Sequence, residues 1–207
     1  MYYILGAIVV ILIIWTVGSY LVVSSLEEPK YTLVSKTDNY EIRQYEPYLI
    51  AETEVRGNFN SSTNDGFRQI ADYIFGNNTS KESIAMTTPV LEQKSEKIAM
   101  TVPVINTLEE GQANTVSFVL PSKYTLETLP LPNNDRVEIR AVETKKKAVL
   151  SFTWYPTEKR VEAKKAELLK YLADDDVEII GETQVARYNP PLSMPLTLRN
   201  EIIIEIN

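Results

Sequence analysis

The sequence predicts an α+β fold: a duplicated β-α-β unit forming a distorted antiparallel β-barrel with two packed helices, preceded by an N-terminal transmembrane helix. Three observations carry this prediction. Apolar residues alternate along YEIRQYE (40–46), TVSFVL (115–120), RVEIRAVE (136–143) and EIIIEI (201–206), the period of strands built from Ile, Val, Tyr and Phe. Two later segments break that alternation with helical spacing. With Glu41 laid on Glu138, YEIRQYEPYLIAETEV stands over VEIRAVETKKKAVLSF, so that Glu41, Ile42, Arg43, Glu46 and Ala51 each meet their own kind and the helical segments fall in register.

Taken in order, the chain opens with an uncharged run from Tyr2 to Val23 that reaches roughly 33 Å as a helix, enough for a hydrocarbon core of about 30 Å. We read residues 2–23 as a single-pass membrane anchor. A cleaved signal peptide is the rival, with small residues at Val22-Val23-Ser24, although the run is longer than the usual apolar region of such peptides and no Lys or Arg precedes it. Lys30 and Lys36 beyond the helix lean toward a cytoplasmic C-terminal domain, but two lysines leave the side open. Residues 24–30 are a juxtamembrane linker, and 31–207 one domain with half-repeats about 31–120 and 136–207, joined by PSKYTLETLPLPNNDR.

In STNDGFRQIADYIFGNN, Phe67, Ile70, Ala71 and Ile74 fall at i, i+3, i+4 and i+7, with Ser and Thr as N-caps ahead and Gly76 behind. In PTEKRVEAKKAELLKYLADDD, Val161, Lys165, Leu168 and Leu172 form one stripe, with Thr157 as N-cap. Between the helices the chain writes Ile-Ala-Met-Thr-x-Pro-Val twice, at 84–90 and 98–104. Proline cannot donate to a ladder, so Pro89 and Pro103 belong at strand edges, ends or bulges. In extended chain Ile84, Met86 and Thr88 share a face, as do Ile98, Met100 and Val102 on the next strand, and the parity of the intervening loop decides whether the two methionines meet. The Glu41/Arg43 and Glu138/Arg140 pairs, two residues apart, read as solvated strand faces, and Lys145–Lys147 as a solvated turn.

Composition removes several function classes. The chain has no cysteine and no histidine, which excludes thiolate sites, Ser-His-Asp catalysis and imidazole ligation of a metal. A formal net charge of −7, all of it beyond the apolar run, disfavours nucleic acid. Nothing singles out a catalytic carboxylate, and we read the chain as a binding module, not an enzyme.

The doubled IAMTxPV, together with YEIRQYEPYLIAET, GFRQIADYIFGNN, RYNPP and LRNEI, resembles the SOUL haem-binding protein family across nearly the whole domain after the anchor. That resemblance implies an antiparallel barrel-like core with two helices, related to effector-binding domains of bacterial regulators, and association with haem or another tetrapyrrole. It further implies a ligand held by apolar contact along the first helix: Phe67, Ile70, Ala71 and Ile74, with Met86 or Met100 nearby; Arg68 is the local candidate to partner a carboxylate, since guanidinium pairs bidentately with such groups. The chain departs from this pattern in having no histidine to bind iron and in placing Asp72 where a basic residue would better meet a propionate. Two expectations therefore stand: a membrane-anchored module buffering or delivering haem or porphyrin without histidine ligation, and a small-molecule effector-binding or scavenging domain that does not hold haem tightly. An interaction scaffold with an exposed apolar patch is a further reading.

Overall fold

The computed structural model describes residues 2–57, 59–81, 95–107, 114–190 and 192–207. The first copy of the repeated heptad, with Met86, lies outside these residues. Helix α1 (Tyr2–Ser24) is apolar throughout, long enough to cross a bilayer, and exposed except at Ser19 and two half-buried positions. Then come β1 (Tyr31–Lys36), β2 (Glu41–Tyr45), β3 (Tyr48–Val55), α2 (Phe59–Ile74), β4 (Asn78–Thr79), β5 (Val104–Thr107), β6 (Asn114–Val119), β7 (Leu131–Pro132), β8 (Glu138–Val142), β9 (Lys145–Phe152), α3 (Glu158–Asp174), β10 (Ile179–Arg187) and β11 (Asn200–Ile206).

Nine strands form one antiparallel sheet in the order β1-β2-β9-β11-β10-β5-β6-β3-β8, and β4 and β7 make a separate small pair. The sheet curls into a half-barrel. The predicted barrel does not close, because no pairing joins β1 to β8 among the described residues. Read inward from β2 and from β8, the strand orders are equivalent: β2-β9-β11-β10 and β8-β3-β6-β5. The first strand of each half therefore pairs with the second strand of the other, and the two-residue links 46–47 and 143–144 cross between the sheet's two ends.

Both helices cover the convex face. α3 lays Val161, Leu168 and Leu172, all buried, on β9, β10 and β11, with Thr157 capping its N-terminus by accepting from the Arg160 amide. α2 covers β3 and β6. It begins earlier than its Ser/Thr letters predict: Ser62 and Thr63 lie inside the helix, buried, where their hydroxyls accept from Asn114 and Asn106 of the sheet. Gly66 is required here, since a Cβ at that position would stand 2.5 Å from Val116. Gly76 ends the turn after α2 at φ +124°, a left-handed conformation that glycine adopts without a steric penalty.

The second heptad also departs from expectation. Residues 95–103 are irregular, and β5 begins just after Pro103. Ile98 is buried against α2, Val102 is buried on the concave side, and Met100 stays 36% exposed, so the three do not share a strand face. The reason lies in the backbone: the Ile98 amide donates to the Ile74 carbonyl at the end of α2, and the Val102 amide donates to Glu27. These donors serve a helix end and the segment after α1 instead of a neighbouring strand.

Candidate functional site

The strands alternate, so the residues between those facing the helices point into the hollow of the half-barrel. Its middle is filled by an apolar cluster that includes Tyr45, Ile50, Val102, Ile105, Val149 and Ile203. That plug divides the concave face into two ends.

One end is sealed. Glu201 is fully buried there and accepts both Arg43 Nη1 bonds at 3.1 Å, a bond from Arg199 Nε at 3.1 Å and one from the Tyr188 hydroxyl at 2.6 Å. Arg43, 4% exposed, also donates to Glu41 at 2.6 Å, so its strand face is interior and not solvated as its spacing suggested. Arg199 continues outward to Glu28 at 2.9 Å and stacks over the Tyr188 ring at 3.8 Å. The segment after α1 closes this end: Leu26 packs on the apolar plug, and Glu27 accepts from the Ser122 amide. Burial, reinforced by the Glu201 carboxylate, pushes the Tyr188 hydroxyl well above its ordinary pKa.

The other end is open, as a cleft of about 870 Å³ walled by β3, β5, β6, β8, β9, β10 and β11. Its rim is charged: Arg140 pairs with Glu52 at 2.8 Å and Lys145 with Glu205 at 2.7 Å, and Glu54, Arg136, Glu138, Glu143 and Glu182 also line it. On its floor lies Lys147, 5% exposed. The Lys147 ammonium donates to the Tyr48 hydroxyl at 3.3 Å and to Gln184 Oε1 at 3.2 Å, with the Tyr45 and Tyr48 rings 5.6 and 6.0 Å away. No carboxylate lies within ion-pair distance of it among the described residues. Burial lowers its pKa to about 8, and burial likewise pushes the Tyr48 hydroxyl up to about 12. The Lys145–Lys147 run is thus the start of β9, not a solvated turn, with Lys147 on the inward face beside Val149.

The residues expected to line a groove on the first helix are placed differently from one another. Ile70, Ala71 and Ile74 are buried, the two isoleucines in the core between α2 and the sheet with Ile98, Val116 and Phe118. Phe67 is half-buried with its ring 5.2 Å from Phe118. Arg68 is exposed beside Asp65 at 3.9 Å. Met100 is partly exposed on the segment before β5, and Met86 falls outside the described residues. The open cleft is on the opposite face of the sheet from all of α2. Sequence reasoning missed it because its walls come from seven strands that no local motif links.

Comparison with known proteins gives a family and a fold. The family model described as "SOUL heme-binding protein" matches residues 26–205. No curated protein matches the chain. Among solved structures, the EcmrR C-terminal domain is similar at a TM-score of 0.60 and 6% identity, covering 86% of this chain and 98% of that one. A structure titled as a hydrolase from Listeria innocua is similar at a TM-score of 0.52 and 10% identity, covering 84% and 94%. At such identities the likeness is one of fold, an effector-binding-like half-barrel.

Proposed function

Because the chain belongs to the SOUL haem-binding protein family and leaves one end of its hollow open over a buried lysine, we propose that it is a membrane-held module that binds a small molecule in the cleft, without chemistry on it. The observation that carries this reading is Lys147. A buried ammonium costs stability unless something pairs with it, and here it faces an 870 Å³ space with two neutral oxygens as hydrogen-bond partners, while Glu205 across the strand is engaged by Lys145. A ligand carboxylate or similar anionic group set against Lys147 supplies that partner. α1, with nearly every apolar side chain exposed, holds the module to the bilayer in this reading, a cleaved signal segment being its rival.

A tetrapyrrole is the second reading, favoured by the family description. The described residues fit its acidic edge better than its iron. Lys147 and Arg140 are cations suited to propionates. Iron has no histidine or cysteine to bind, and the one phenol on the floor, Tyr48, is held protonated. Helix α2 has its inner stripe committed to the core and offers little surface for a ring.

Titration of the detergent-solubilised full chain with haemin and with iron-free protoporphyrin IX tests both. We expect saturable binding of the two porphyrins with equal affinity, reduced at least tenfold in Lys147→Met and unchanged in Phe67→Ala. Loss in Phe67→Ala with Lys147→Met intact would move the site to α2. Absence of saturable binding, with a carboxylate library still protecting the chain against heating in a Lys147-dependent manner, would keep the cleft and discard the tetrapyrrole.

A further inference from the structure

We infer that the proline-rich loop between β10 and β11, with Trp154 and Tyr155 beside it, is a lipid-contacting wedge that enters the same bilayer as α1. This rests on the reading of α1 as a membrane span. The loop carries no charge from Tyr188 to Leu198 and exposes Leu192 (87%) and Leu196 (62%), while Trp154 and Tyr155 are exposed at 42% and 46%. Large apolar side chains this exposed are unfavourable in water, and Trp and Tyr are the residues that settle at membrane interfaces.

The loop docks on α1 well inside the helix. The Trp15 indole donates to the Leu192 carbonyl at 2.8 Å, the Met194 amide donates to Ser19 Oγ at 3.0 Å, and the Thr16 hydroxyl lies 2.7 Å from Met194 Sδ. At 1.5 Å per residue these contacts stand roughly 7 to 13 Å back from Ser24 along the helix. A helix that spans the bilayer brings the loop to the bilayer's edge or below it.

Irregular backbone tolerates that depth only where protein satisfies its polar groups. Here it does. Pro190 and Pro195 have no amide hydrogen. The Ser193 amide donates to Pro190, Thr197 to Met194, and both Leu198 and Trp154 to Pro195. Trp15 donates to the Leu192 carbonyl and Ser19 accepts from the Met194 amide, both polar groups on a largely apolar helix. Lys159 and Arg160 follow closely after Tyr155, where basic side chains can reach anionic headgroups.

The chain contains no cysteine, so single labels are unambiguous. The full-length protein, carrying an environment-sensitive fluorophore at Leu192→Cys, Leu196→Cys, Ile8→Cys or Ile180→Cys, is reconstituted into phosphatidylcholine/phosphatidylglycerol vesicles with or without nitroxide-labelled lipid. We expect at least twofold quenching at positions 192, 196 and 8 and none at 180, an exposed site at the far end of β10. Quenching at 8 with positions 192 and 196 behaving like 180 overturns the wedge and leaves the anchor standing. No quenching at position 8 removes the anchor, and the wedge with it.

Discussion

β2 lies against β9 with Glu41 opposite Val149 and Arg43 opposite Lys147, and β8 lies against β3 with Glu138 opposite Glu52 and Arg140 opposite Ile50. The letters Glu-Ile-Arg and their register are the same at both ends of the hollow, yet one end is a buried ion cluster and the other an open cleft. What differs is the second layer. Ser151 sits opposite Glu201 on β11, whereas its counterpart Glu54 sits opposite Thr115 on β6. The first end thus gives its arginine a fully buried carboxylate; the second gives it Glu52 at the rim. The difference teaches that this architecture tolerates a filled or an empty end, and that Lys147, standing where the other half has Ile50, is not demanded by the register.

Glu201→Ala should break the sealed end most severely. It leaves Arg43 and the Tyr188 hydroxyl buried without their shared acceptor, a loss of about 3 to 5 kcal/mol. For a chain of this size that lowers the thermal midpoint on the order of 10 °C, readable by circular dichroism in detergent. A drop of only a degree or two would mean that water already reaches this cluster and that the two ends are less different than their packing indicates.

Lys147→Met comes next, with the opposite sign. Removing a buried, unpaired cation should stabilise the chain by roughly 1 to 3 kcal/mol at neutral pH. The pH dependence follows from the downward shift. Between about 8 and the ordinary lysine value of 10.5, the unfolded chain holds a proton that the folded chain has released, so wild-type stability gains from rising pH across that window. Below 8 both states carry the proton, and the burial cost is felt in full. The advantage of Lys147→Met should therefore be largest below pH 8 and shrink toward pH 10. An advantage that does not change with pH would show that Lys147 is solvated in the folded state.

Much of this comparison was legible in the sequence, and the exceptions have physical causes. Alternation and the shift of Glu41 onto Glu138 located β2 and β8 and the duplication, and the stripe of Val161, Leu168 and Leu172 located α3. Glu201 could have been singled out: in NEIIIEI three consecutive isoleucines require both strand faces to be covered, so the glutamate before them is inward and needs a partner. Lys147, read instead as part of a solvated turn, could have been placed inward in the same way, since KKKAVLSF has apolar residues on both faces after the lysines. The second heptad was not legible as irregular chain, because the acceptors that draw its amides, Ile74 and Glu27, lie 24 residues or more away in the sequence and only folding brings them near. The cleft itself was hidden for a similar reason: its floor and rim come from strands of both halves.

Glu52→Ala is the smallest effect and the sharpest control. Its partner Arg140 has a side chain 56% exposed, and such pairs contribute at most about 1 kcal/mol, so the thermal midpoint should scarcely move. The charge of the cleft should nonetheless rise by one. If the ligand presents an anion to Lys147, removing Glu52 should tighten its binding a few-fold at low ionic strength, and added salt should erase the gain because the rim is within reach of counterions. Tighter binding without a stability change would separate the two roles, sealing at Glu201 and recognition at Lys147, that the same strand pairing supports. A stability loss approaching that of Glu201→Ala would instead mean that the second end closes on itself in solution, and that the cleft is not where the ligand enters.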